Sequence, residues 1–182
     1  MNTAQPIKEP KLLKDLMEVY KKDTKQYLLL AYSLNTGLRI SDILKANVKD
    51  SLAGFWKDRE TKTGKEKIAT LNPKLQLLIR DYVEANSLQP EDFLFFSNKD
   101  RDKAISRVQA HRIVAHAGDM VGVTLSCHSL RKTFGYMAYS QGVDLSLLQY
   151  IFNHSSQTVT LRYIGITQTE ADKVTSTISI GI

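Results

Sequence analysis

Three features predict an α+β domain, mainly helical with a small antiparallel β-sheet. Apolar residues recur at helical spacing through most of the chain, and these stretches open on Ser, Thr or Asn and close on glycine. One pair of short β-tolerant runs flanks a polar turn that contains glycine. The 182 residues, 42% hydrophobic and 24% charged, are enough to bury one core without staples, so a single domain over 1–182 is expected.

Taken in order, residues 1–10 read as a short, polar, flexible leader. Pro10 then opens a helix with Leu12, Leu13, Leu16, Met17 and Tyr20 on one stripe. Thr24 can cap a second helix, Lys25 to Asn35, stopped by Gly37; its long apolar face marks it as central. Ser41 is read as the cap of a short third helix carrying Asp42, Ile43 and Leu44. The runs Leu52–Lys57 and Glu66–Leu71 around Thr61-Lys62-Thr63-Gly64-Lys65 read as a hairpin with a basic tip. Asn72-Pro73 starts a helix to about Asn86. Leu88 to Lys103 reads as a loop interrupted by Phe93-Leu94-Phe95-Phe96. Helices are expected at Ser106–Val121, His128–Gln141, Leu145–Phe152 and Thr158–Tyr163, before a polar tail that can be helical from Thr169.

Several function classes drop out early. The single cysteine, Cys127, excludes an intramolecular disulfide and a cysteine-rich zinc site, and suits a reducing compartment. The longest apolar run, Tyr27 to Leu34, is too short to span a bilayer. His111 and His116 lie five apart, which does not put them on one helix face, and no acidic or thiol partner completes a metal-ligand spacing. Cys127 and His128 are adjacent, so on one helix they point about 100° apart and make a poor nucleophile–base pair. Neither a Walker-type phosphate loop nor a GxSxG elbow occurs. The net charge of +6 permits a polyanionic partner without requiring one. Its densest stretch holds Arg101, Lys103, Arg107, Arg112, Arg131 and Lys132 against Asp102 and Asp119.

The C-terminal third carries more chemistry. His128-Ser129-Leu130-Arg131 sets an imidazole and a guanidinium at i and i+3 near a helix start, a grip suited to phosphate, though taken alone the pattern is weak and reads first as a surface pair. Arg39 follows an apolar helix and a glycine, where it either pairs with Asp42 or is presented into a cleft. Lys62 sits at the hairpin tip, and Asn153-His154-Ser155-Ser156 precedes Tyr163.

In order, the chain reads TGLRISD, TKTGK, HSLR, NHSS and LRY. This series resembles the catalytic domain of the tyrosine recombinase family (phage integrases, Xer-type recombinases, fimbrial invertases) from about Leu28 to Gly165. The spacing Arg131–His154–Tyr163 is the tightest part of the match. The resemblance implies that Arg39 is the first catalytic arginine, Lys62 the hairpin lysine, His128 and Arg131 the His-x-x-Arg box, His154 the histidine-or-tryptophan position and Tyr163 the nucleophile. It also implies that Asp42 supports the active-site histidine. Asn153 departs from the family, which commonly has glycine there. Family members carry an N-terminal helical domain that clamps the opposite face of DNA; here only about 25 residues precede the core, so that domain is expected to be absent.

The implied function is a site-specific recombinase or integrase that cleaves and rejoins DNA through a 3′-phosphotyrosyl link, with no metal or other cofactor. Duplex DNA is the expected partner, contacted by Lys65, Arg101, Lys103, Arg107, Arg112 and Lys132. Four copies are expected on paired sites and a monomer without DNA; the resemblance implies that residues 166–182 dock on a neighbouring protomer, while their weakly amphipathic sequence reads equally as a frayed polar tail. The expected setting is cytoplasmic, at the nucleoid, with no membrane association. Two other readings share the motifs: a DNA-binding accessory module without turnover, and a type IB topoisomerase-like relaxing enzyme.

Overall fold

The computed structural model describes residues 4–59, 66–167, 172 and 176–179. Its elements run α1 (Pro10–Glu18), α2 (Lys25–Thr36), α3 (Ile40–Ile43), α4 (Val48–Leu52), β1 (Phe55–Arg59), β2 (Glu66–Thr70), α5 (Pro73–Ala85), β3 (Phe96–Ser97), β4 (Asp100–Ala104), α6 (Arg107–Met120), α7 (Cys127–Ser140), α8 (Leu145–Phe152) and α9 (Gln157–Tyr163). Both strand pairs are antiparallel, and β1 meets β2 in the register Phe55↔Thr70 to Arg59↔Glu66. Among the described residues, no helix is long and apolar enough to cross a membrane.

α2 is the hub, as its apolar face predicts. Leu28, Leu29 and Tyr32 enter a core shared with α4, β1, α5 and the Leu94–Phe96 segment, while Leu30 enters a second core with Ile7, Leu16, Val114 and Leu130. A helix buried on opposite sides shows no single apolar stripe. Its start is fixed by Thr24, whose side chain accepts from Tyr27 N at 3.2 Å, and its end by Gly37 at φ +60°.

Four expectations are corrected. Residues 4–8 are not loose: Pro6 and Ile7 are buried, and the Ile7 amide donates to Thr133 Oγ1 at 2.8 Å. Arg39, rather than Ser41, precedes the first turn of α3. Leu52 ends a short helix instead of opening a strand, because Asn47 accepts from Asp50 N at 2.8 Å and Gly54 at φ +91° makes the turn into β1. The stretch read as a loop holds a second strand pair, β3–β4. Burial of Leu94 and Phe95 folds the chain back, so that Ile105 N bonds Phe95 O at 2.7 Å. The hairpin tip with Lys62 and Lys65 lies outside the described residues, as does most of the tail expected to dock on a neighbour.

Candidate active site

A capping box starts α7 one residue earlier than the periodicity indicates. Ser126 Oγ accepts from Ser129 N at 3.3 Å, and Ser126 N donates to Ser129 Oγ at 3.1 Å. Cys127 and His128 therefore occupy the first turn, with His128 exposed, and Arg131 lies one turn further in. Only 5% of Arg131 is exposed. Its guanidinium donates through Nη1 to Gly37 O and through Nη2 to Phe152 O at 3.3 Å, and its carbon stands 4.7 Å from the Phe152 ring centroid. The left-handed stop of α2 thus supplies one acceptor, the last turn of α8 supplies the other, and the fork is aimed by both.

Phe152 is the floor of the site. Its ring lies 5.3 Å from the His154 ring and 5.4 Å from Tyr163, while His154 and Tyr163 meet edge-on at 4.9 Å and 72°. Phe152 reaches this position because residue 135 is glycine: a Cβ there would stand 2.6 Å from the Phe152 ring. Asn153, at φ +54° and ψ 52°, then turns the chain back so that His154 returns over Phe152. That left-handed conformation accounts for the family's glycine, and asparagine is among the few side chains that tolerate it.

Burial and charge set the protonation of the site. Burial holds the Tyr163 phenol above its ordinary value, while the nearby Arg131 and Arg39 pull it back down. His154 is held below the usual histidine range by burial and then by the charges of Arg131 and Arg39, so the ring is neutral near pH 7. Its Nδ1 lies 3.1 Å from Thr160 Oγ1, a hydroxyl that also reaches Ser156 O at 3.2 Å. While Thr160 gives its one proton to Ser156 O, Oγ1 accepts from Nδ1–H and Nε2 is bare; turning that proton to Nδ1 moves the ring proton to Nε2, where it can be offered to a phosphate. Burial lowers Arg131 from the ordinary guanidinium range.

Beside this cluster, Arg39, Ile40, Ser41, Arg107, Cys127, His128 and Arg131 line a cleft of about 190 Å³. Arg39, distant in sequence, meets His128 and Arg131 there, and the charges of Arg39 and Arg131 both reach His154 and Tyr163. Burial pushes the Cys127 thiol up to about 11, which suits a packing residue better than a nucleophile.

Asp42 does not hold His128. Its carboxylate accepts from Lys67 Nζ at 2.8 Å and its carbonyl accepts from Trp56 Nε1 at 2.9 Å, which pins the β1–β2 hairpin to α3. The cation that Asp42 holds is therefore Lys67 on β2, while His128 lines the cleft beside Arg39 and Arg131.

The expected DNA-contacting residues fall into groups. Arg107 joins the cleft, and Arg112 is exposed further along α6. Arg101 stacks at 5.1 Å over Phe96, and Lys103 pairs with Asp100 at 2.8 Å, both on the outward side of β4. Lys132 turns inward: it donates to Ala4 O at 2.7 Å and stands 5.3 Å over the Tyr163 ring. Sequence reasoning missed Phe152, Thr160 and the carbonyl of Gly37 as parts of the site. Gly135 within a helical run was the available signal, since a mid-helix glycine marks close approach.

With this geometry in view, comparison with known proteins is consistent. The model of the phage integrase family matches residues 8–170. The chain is 37% identical over 170 residues to the probable integrase/recombinase YoeC of Bacillus subtilis (strain 168), covering 91% of this chain and 92% of that one. It is 31% identical over 144 residues to tyrosine recombinase XerA of Saccharolobus solfataricus, covering 78% of this chain and 46% of that one. Among solved structures, XerA recombinase superposes with a TM-score of 0.77 at 22% identity, over 94% of this chain and 65% of that one. XerH recombinase bound to palindromic difH substrate, in a post-cleavage complex, gives 0.71 at 21%, over 92% and 50%. The chain thus spans nearly all of the Bacillus relative and about half of the archaeal one. Fold and site define the catalytic domain of a tyrosine-type site-specific recombinase. The chain belongs to the phage integrase family.

Proposed function

We propose that this domain cleaves and rejoins duplex DNA at a defined site, with Tyr163 as nucleophile and no metal or other cofactor. The observation that carries the reading is the gathering of Arg131, His154 and Tyr163 on one ring beside a cleft lined by Arg39 and His128.

Tyr163 Oη attacks the scissile phosphorus as the bond to the 5′ oxygen breaks, which yields a 3′-phosphotyrosyl link and a 5′ hydroxyl. Attack by a 5′ hydroxyl from another strand reverses the step and frees Tyr163, so no external energy source is consumed. A phenol with a pKa of about 10 costs roughly 4 kcal/mol to ionise at pH 7, and burial here adds to that. Arg39 and Arg131 lower the cost and clamp the non-bridging oxygens where charge builds. His154 donates from Nε2 to the phosphate, and His128 at the cleft rim exchanges a proton. Lys62 protonates the leaving 5′ oxygen; support for that role comes from the resemblance alone, since the residue lies outside the described set.

Duplex DNA is the proposed partner, gripped largely through phosphates by Lys65, Arg101, Lys103, Arg107 and Arg112, so affinity should fall steeply with salt. Four copies on paired sites would exchange strands, and the setting proposed is cytoplasmic, at the nucleoid.

The test uses nicked suicide duplexes that trap the covalent intermediate. Arg39→Ala and Arg131→Ala should each slow adduct formation by about 10²–10³-fold, the cost of one removed oxyanion donor. Near-normal rates in either variant would sink the assignment. Two differently labelled duplexes separate strand exchange from simple relaxation.

A further inference from the structure

Residues 4–8 are tied to both helices that carry the site. The Ile7 amide donates to Thr133 Oγ1 on α7 at 2.8 Å, and its side chain is buried in the second core. Lys132, the neighbour of Arg131, donates to Ala4 O at 2.7 Å. On the other side, Lys8 Nζ donates to Gly165 O at 2.8 Å and stands 4.9 Å over the Tyr136 ring of α7. Pro6 packs so closely on Gly165 that a Cβ there would come within 2.9 Å of its ring. The segment therefore bridges α7 and the end of α9, two residues beyond Tyr163.

α9 needs such a tie. It has seven residues, too few to hold a helix by its own backbone bonds, so the position of its last residue is set by what it packs against. On one side that is Phe152 and, through Ile164, Gly135; on the other it is the bridge from residues 4–8. Lys8 also reaches a carbonyl at the C-terminal end of α9, where a positive charge is favoured.

We propose that residues 4–8 are a strap that positions the nucleophile, with Lys8 as the positioning residue that fixes Tyr163 relative to Arg131. The proposal rests on Tyr163 being the nucleophile, yet the strap itself can be measured without DNA. A phenol held in place reacts differently from one on a loose helix end.

The experiment compares the wild type with Lys8→Met, Lys8→Arg and, as a control at an exposed position of α1, Lys11→Met. Nitration of Tyr163 by tetranitromethane is followed by peptide mass spectrometry in the DNA-free protein, with the outward Tyr150 (84% exposed) as internal reference. In parallel, adduct formation on a nicked duplex, DNA affinity and melting temperature are measured. Lys8→Met should raise Tyr163 nitration severalfold and slow adduct formation by about tenfold, the weight of one charge-assisted hydrogen bond. Tyr150 nitration and DNA affinity should hold, and Lys8→Arg should restore most of both losses. Unchanged nitration and adduct rates in Lys8→Met would overturn the proposal. So would an equal rise at Tyr150 with a fallen melting temperature, which is general loosening. A nitration change in a protein whose wild type forms no adduct would support the strap and overturn the recombinase reading.

Discussion

Replacing Phe152 by leucine tests how the site is held together. Leucine keeps most of the buried apolar surface, so the transfer contribution changes little; what is lost is directional. The edge-on contacts of Phe152 with Phe134 and Tyr163 are worth about 0.5–1.5 kcal/mol each. The face it offers to the buried Arg131 guanidinium is worth about 2 kcal/mol. Phe152→Leu should therefore lose about 3–5 kcal/mol of folding stability, read by urea unfolding. The larger effect should be on rate. Arg131 keeps its two carbonyl acceptors but loses the surface that flattens it, and a displacement near 1 Å at a reacting centre costs about 10²-fold. Adduct formation on a nicked duplex should fall by about that much while DNA affinity stays within a fewfold. Stability within about 0.5 kcal/mol of wild type together with an adduct rate within about twofold, both well inside these magnitudes, would refute the view of Phe152 as the floor.

Other expectations follow from single features. At the left-handed turn, Asn153→Ala should cost about 1 kcal/mol in equilibrium unfolding, whereas Asn153→Gly should hold or raise stability. Tyr32, Tyr82 and Tyr163 are all held above the ordinary phenol range by burial. Above pH 10 the unfolded chain therefore loses protons that the folded chain keeps, and the melting temperature should drop as pH rises through 10 and beyond, without a matching drop between pH 7 and 9. Asp42→Asn and Lys67→Met should each slow adduct formation by a similar factor, and the double variant should be no worse than either single one. Additive losses in that cycle would mean that Asp42 acts on something other than the hairpin.

Much of the helical frame was legible because its signals are local. Thr24, Asn72 and Ser106 each cap a helix through their own side chains, and Gly37 stops α2 by adopting a conformation other residues resist. The second strand pair was not legible, because Asp100–Lys103 is wholly polar and the middle of the strand is exposed. It is a strand only because Phe95 and Phe96 are drawn into the core beside it. Residues 4–8 read as a leader for a similar reason: their partners, Thr133, Lys132 and Gly165, lie more than a hundred positions away.

The site divides the same way. Arg39, His128, Arg131, His154 and Tyr163 were readable as residues in order, and the fold brings them to one place. What each side chain does there depends on contacts that spacing does not encode. Asp42 turned to Lys67 instead of an imidazole, and Lys132 turned from the surface to Ala4 and the Tyr163 ring. Phe152, which touches three members of the cluster, carries no functional group to draw notice.

The central claim, that Tyr163 forms a covalent bond to DNA without a metal, is tested most directly by trapping. The protein is incubated with nicked duplexes in low salt and EDTA and resolved on a denaturing gel beside Tyr163→Phe. A protein–DNA band that is present in the wild type and lost in Tyr163→Phe, with salt-sensitive DNA binding retained by both, is the predicted result. A band that persists in Tyr163→Phe, or no band from a wild-type protein that binds the same duplexes, would contradict it.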